Sequence, residues 1–278
     1  MTQLRVVVIT SNASGNAARV CHHLARSVDG ITLVGALVDA GTTSDRRRQL
    51  RRLRAWQSHG GSRYVLWRCW LEARDKVRPQ IRAQYVHTLG HLGEMYGFPV
   101  IQVPNINGTQ ARDSLAGLNA DLGVSVGNRV IQESTFAIPR LGMVNLHHGR
   151  IPDFRGGPPG FWEMYDQVPV MGVSVHRIDA ELDHGELLGA AEFAILDRDD
   201  PRTLMERAYT VDVRLMGEVV GAISKGSNKP IAVDFGARGV RTIPSRAQVR
   251  ALEARLGRPV RHDDFRRARL PPLPDAPP

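Results

Sequence analysis

The chain has 278 residues, a net charge of +9, 42% hydrophobic and 23% charged residues, an ordinary globular mixture that excludes a disordered or fibrous protein. It is long enough for one large α/β domain with an appendage, or for two small domains. No stretch nears the roughly 18–20 apolar residues of a membrane span, and the start lacks a leader's apolar region and cleavage site, so a cytoplasmic location with no membrane partner is expected.

In chain order, Arg5 to Thr10 is a β-branched apolar run ending in the turn-rich Ser11-Asn12-Ala13-Ser14-Gly15-Asn16. A helical pattern through Val20, Leu24 and Val28 follows, then a strand over Ile31 to Val38, the opening of a parallel α/β sheet. The turn at Ser14, Gly15 and Asn16 precedes a helix and can offer backbone N–H groups to an anionic substrate, but lacks dinucleotide spacing and a P-loop lysine. Helices are expected over Asp45–Trp56 and Val77–Gly90, a short strand over Pro99–Val103, and buried strands over Ala120–Val126 and Gly142–His147. The Pro/Gly-rich stretch between Gly149 and Gly160 fits neither helix nor central strand. A helix starts at Phe161–Tyr165, Gly172–Ile178 alternates as a strand, and Pro201–Val220 is a long helix with proline in its first turn. Beyond about residue 230 the pattern shifts to short strands, a helix near Ser245–Leu256 and a Pro-rich end expected to be disordered. The division that follows is a catalytic domain over 1–228 and an α+β extension over 229–278.

The positive charge is nearly all arginine, lysine occurring only at Lys76, Lys225 and Lys229. Its clusters, Asp45–Arg54 and Arg258–Arg269, are not interleaved with aromatics in the way a single-strand binding surface is and read as solvated faces, so nucleic acid is not the expected partner. Cys21 and Cys69 have no metal or redox spacing and read as buried thiols.

Chemistry concentrates where Asn145 and His147 alternate with apolar residues at a strand end, so that both point to one side. The carboxyl edge of a parallel sheet is where α/β proteins bind ligands. An amide donor beside an imidazole suits acyl transfer, the amide stabilising an oxyanion while the imidazole handles protons. An acidic turn after Gly172–Ile178 carries Asp179, Glu181 and Asp183, any of which would raise the pKa of His147 if brought against it.

The pattern Asn145-Leu146-His147 followed by Leu182-Asp183-His184-Gly185 resembles the family of formyltransferases that use 10-formyltetrahydrofolate. That family includes glycinamide ribonucleotide, methionyl-tRNA and sugar N-formyltransferases and formyltetrahydrofolate deformylase. Asp121 to Ile131 is similar to the strand and loop bounding its folate pocket. The resemblance implies a Rossmann-like fold, a mostly parallel sheet with helices on both faces. It implies Asn145, His147 and Asp183 as the catalytic residues. Asn128, Arg129, Val130, Ile131, Ile178, Asp179 and Leu182 would then hold the 10-formyltetrahydrofolate donor, with no metal required. The expected reaction is formyl transfer to an amine, hydroxylamine or amino sugar, and a homodimer is left open.

The chain departs from the family's usual Asn-x-His-x-Ser-Leu-Leu-Pro, reading Gly149-Arg150-Ile151-Pro152 after His148. Arg155-Gly156 resembles the step that shapes the acceptor mouth of tRNA and sugar enzymes, so Arg150, Arg155 and Gly156, with Ser14, Gly15 and Asn16, are the expected acceptor-binding residues. His148 beside His147 raises hydrolysis of the donor as the alternative. A non-catalytic α/β protein that binds a ligand or nucleic acid is a third reading, and it predicts that Asn145, His147 and Asp183 do not converge.

Overall fold

A computed structural model describes residues 3–41 and 87–260, together with scattered positions between 50 and 70 and between 265 and 270. The elements are β1 (Leu4–Thr10), α1 (Asn16–Ser27), β2 (Ile31–Asp39), α2 (Leu89–Tyr96), β3 (Val100–Val103), α3 (Thr109–Leu118) and β4 (Leu122–Val126). After them come α4 (Glu133–Phe136), β5 (Met143–His147), α5 (Phe161–Tyr165), β6 (Val170–Arg177), β7 (Leu187–Ala194), α6 (Pro201–Ser224) and α7 (Arg246–Leu256). The helix expected over Asp45–Trp56, most of that over Val77–Gly90 and the Pro-rich end lie wholly or partly outside the described residues.

The seven strands form one sheet in the order β3-β2-β1-β4-β5-β6-β7. The first five run parallel, and β6 and β7 are antiparallel additions. Period-two alternation along β1 sends Val6 and Val8 into one apolar cluster and Val7 and Ile9 into another, so both faces of the sheet are covered. On the first face α1, α2 and α6 supply Leu24, Leu92 and Met216; on the second α3 supplies Ala111 and Leu115. Strand order reverses between β1 and β4, which opens a crevice at their carboxyl ends.

The long helix α6 begins at a capping box: Thr203 N–H donates to Asp200 Oδ1 at 2.8 Å, Asp200 N–H donates to Thr203 Oγ1 at 2.8 Å, and Pro201 opens the helix. Cys21 is buried in α1, and burial pushes its thiol up to about 12; Cys69, expected to be buried, is exposed. The extension forms no strands of its own among the described residues. It makes two isolated bridges, Ile231 to Leu187 and Arg241 to Gly156, before α7. No described helix is long and apolar enough to cross a membrane.

Candidate active site

The parallel β4–β5 register sets Ser125 beside Asn145, and the antiparallel β5–β6 register sets Asn145 beside His176 and His147 beside Ser174. Three polar positions on neighbouring strands thereby reach the same edge. The turn after β6 brings Asp183 to them: its Oδ2 lies 3.3 Å from His147 Nδ1 and its Oδ1 lies 3.5 Å from His176 Nε2. Asn145, His147 and Asp183 therefore converge, whereas a non-catalytic protein was expected to keep them apart.

Asp183 takes a left-handed conformation (φ 49°), which for a non-glycine residue costs on the order of 1–3 kcal/mol. Three fixed groups hold it there. Gly156 N–H donates to Asp183 Oδ2 at 2.9 Å, and Arg155 donates through Nε (3.0 Å) and Nη2 (2.7 Å) to the carbonyl of Leu182. Gly185, the glycine of the motif, has no room for a Cβ, which would collide with the carbonyl of Arg177.

Burial alone would raise the Asp183 carboxyl, but the neighbouring His176 and His147 rings and the Gly156 N–H outweigh it and hold the group down at about 2. His147 moves down from the ordinary histidine value, because burial outweighs the opposing pull of Asp183 and of the Phe154 carbonyl. A carbonyl only accepts, so the 2.7 Å contact with Phe154 takes the proton on Nε2. In the neutral ring Nδ1 then faces the ionised carboxylate bare, and the pair has room for one proton. His176 spends Nδ1–H on the carbonyl of Arg177 at 2.7 Å, which leaves Nε2 to accept from Asn145 Nδ2 at 3.3 Å.

The other expected site residues have more varied places. Asn128 turns inward, donating to the Ile9 carbonyl (2.7 Å) and Ser125 Oγ (3.0 Å). Arg129 pairs with buried Asp39 at 2.6 Å. Val130 is exposed and its carbonyl accepts from Asn107, whose side chain also receives Gln132 N–H and so clamps the loop at both ends. Ile131 is buried in the second cluster with Ile178 packed against that cluster. Asp179 pairs with His184 at 3.2 Å, and Leu182 is exposed beside Asp183.

On the acceptor side, Ser14 closes a local turn onto Asn12, and Gly15 (φ 90°) precedes α1. Asn16 donates to buried Asp212 at 2.5 Å, the same Oδ2 that His148 contacts at 2.8 Å, so His148 points into this buried cluster with α6. Arg150 is tied to Asp153 at 2.8 Å, and Arg155 is buried and committed to Leu182. The Arg155 guanidinium, expected to greet an anionic acceptor, points to the turn that carries Asp183.

Ser125 and His176 were not singled out from the sequence. Ser125 is the one polar side chain of β4, and His176 stands with Ser174 and Arg177 on β6, so their pairing is legible only once the strands are placed side by side. Among the described residues no group of three or more His, Cys, Asp or Glu could hold a metal ion.

Residues 101–220 match the formyl transferase family model. A methionyl-tRNA formyltransferase of Parabacteroides distasonis is 30% identical over 135 residues, 49% of this chain and 42% of the relative. One from Staphylococcus aureus is 26% identical over 140 residues, 50% and 45% of the two chains. The matched stretch thus spans under half the length of these relatives. Among solved structures, phosphoribosylglycinamide formyltransferase of Coxiella burnetii aligns with TM-score 0.58 at 17% identity, over 83% of this chain and 96% of its own. An N-formyltransferase of Helicobacter canadensis, solved with folinic acid and dTDP-3-aminofucose, aligns with TM-score 0.55 at 12% identity, over 89% and 72%.

Proposed function

We propose that this chain, a formyl transferase family member through residues 101–220, transfers a formyl group from 10-formyltetrahydrofolate to the amine of a small-molecule acceptor. The observation that carries this reading is the convergence of Asn145, His147 and Asp183 at one sheet edge, with the carboxylate 3.3 Å from the imidazole. The donor is a substrate that supplies the activated formyl group. Exposed Val130 and Leu182 stand on the two segments flanking the trio and offer apolar surface to its rings, and the clamped 128–132 backbone offers fixed polar groups.

In the reaction the acceptor nitrogen forms a bond to the formyl carbon, and the bond from that carbon to the folate nitrogen breaks. Between the two events the carbonyl oxygen carries negative charge. Asn145 Nδ2 is turned outward with one N–H left for that oxygen, and His147 lies beside it. The proton lost by the amine must reach the departing folate nitrogen, and the unprotonated Nδ1 of His147 facing ionised Asp183 is a station for it. Asp183 holds the ring and favours the imidazolium while the proton rests there.

The hydrolytic alternative drew on His148, which instead turns to Asp212. Direct mixing tests both readings: the protein with 10-formyltetrahydrofolate, alone and with a panel of amines, hydroxylamines and nucleotide-linked amino sugars. Tetrahydrofolate release that requires an amine supports transfer; release without one would replace it by hydrolysis. D183N is expected to lower kcat about 100-fold or more while the donor KM changes little, since the carboxylate acts through His147 in the transition state. Steady-state kinetics check that split.

A further inference from the structure

We infer that Ser125 and Asn128 are positioning residues for the reaction, fixing which end of the Asn145 side-chain amide faces the substrate. This inference rests on the formyl-transfer reading for its kinetic meaning, and on geometry alone for its structural one.

An asparagine amide presents an acceptor at one end and two donors at the other, and a half-turn about its last bond exchanges them. Only the NH2 end can meet a developing oxyanion. The polarity here is set from a backbone carbonyl. Ile9 C=O can only accept, so the atom of Asn128 that meets it at 2.7 Å is the NH2 group. The same NH2 lies 3.0 Å from Ser125 Oγ, which therefore receives a proton from it. The Ser125 hydroxyl still has its one proton to give, and it donates that proton to Asn145 Oδ1 at 2.9 Å. Asn145 Nδ2 is left facing the site, one N–H toward His176 Nε2 at 3.3 Å.

His176 agrees with this order from the opposite side. Its Nδ1–H is spent on Arg177 C=O, so in the neutral ring Nε2 is an acceptor and repels the carbonyl end of a flipped Asn145. Ser125 is 1% exposed within Leu122–Val126, a strand of otherwise apolar side chains. A hydroxyl buried there is costly unless both its bonds are made, and both are.

The test compares the full-length wild type with S125A and S125T. S125A is expected to lower kcat about 10- to 100-fold with the donor KM within about twofold, less than outright loss of an oxyanion donor. S125T keeps the hydroxyl and is expected to recover most of kcat. The side-chain amide proton pair of Asn145 is identified in 15N-labelled protein by its disappearance in N145D. It is expected to shift or broaden in S125A and to stay near its wild-type position in S125T. Full kcat in S125A, a defect in S125T as deep as in S125A at unchanged melting temperature, or an unmoved Asn145 pair in S125A would each overturn the inference. If the wild type itself turns over no amine, formyl transfer fails, and the resonance of Asn145 still decides the orienting chain.

Discussion

Gly149 is where the chain leaves the family pattern, and its surroundings give the physical reason. A Cβ at 149 would collide with the carbonyl oxygen of Phe154 and come 2.7 Å from His147 Nε2. The short hydrogen bond between those two groups occupies the volume that a serine side chain would need. Ser174 supports the same turn from β6, donating to Gly149 C=O at 2.8 Å and accepting Ile151 N–H at 3.3 Å. Restoring the family's residue with G149S is therefore expected to do harm. Separating Phe154 from His147 should cost stability of about 1–3 kcal/mol, the usual penalty of overpacking, and lower kcat at least tenfold. Thermal unfolding and turnover, measured together, check this; a G149S protein as stable and active as wild type would show that the His147–Phe154 contact is dispensable.

At the scale of elements, α5 carries a titratable group that has no part in the proposed reaction. Glu163 is 1% exposed, and burial pushes its carboxyl up to about 7, against the partial relief of the N–H groups of Glu163 and Gly160 and the charge of Arg241. The folded chain thus binds this proton more tightly than the unfolded chain, whose value is near 4.5. Its contribution to stability is complete below about pH 4.5, declines as pH rises through about 7, and is gone above that. E163Q, which keeps the shape and removes the titration, should gain on the wild type between pH 5 and 8 by an amount on the order of 3 kcal/mol. Denaturant unfolding across that range checks it; parallel pH profiles for the two proteins would count against it.

The elements also differ in how plainly the sequence announces them. β1 and β4 read as largely apolar runs and β5 as an alternation of apolar and polar residues, so all three are found within a residue or two of their expected bounds. β7 is not legible: Gly189, Ala190 and Ala191 favour no strand, yet Gly189 is required because a Cβ would come 2.6 Å from Val219 on α6. α3 is likewise hidden, with only Ala111 and Leu115 buried and no side-chain cap at its start. Of the candidate site, Asn145 and His147 are legible from their alternation at a strand end, and Asp183 is singled out from its acidic turn by resemblance to the formyltransferase motif. Ser125, His176 and the Phe154 carbonyl owe their places to strand register and loop closure, which no local pattern encodes.

At the scale of the whole molecule, the boundary drawn near residue 228 does not separate the extension from the site. Phe235 lies 4.1 Å from the His184 ring and 5.4 Å from the guanidinium carbon of Arg155. Arg241 N–H donates to Arg155 C=O at 2.8 Å and its own carbonyl receives Gly157 N–H at 3.1 Å, while Trp162 Nε1 donates to Thr242 C=O at 2.9 Å. The extension thus grips the loop whose Arg155 and Gly156 hold Asp183 in its left-handed conformation. A turn under local strain persists only while its surroundings fix it. F235A, and R241A, whose side chain pairs with Asp166 and lies over the Phe154 and Trp162 rings, should therefore loosen the 181–187 segment without touching the sheet. Hydrogen–deuterium exchange in full-length protein is expected to quicken at 181–187 and to stay unchanged in β1 and β4, with kcat falling about 3- to 30-fold and the donor KM less. Wild-type protection of the turn in both variants would mean that the loop and Gly185 hold Asp183 unaided, and that the extension serves only to cover them.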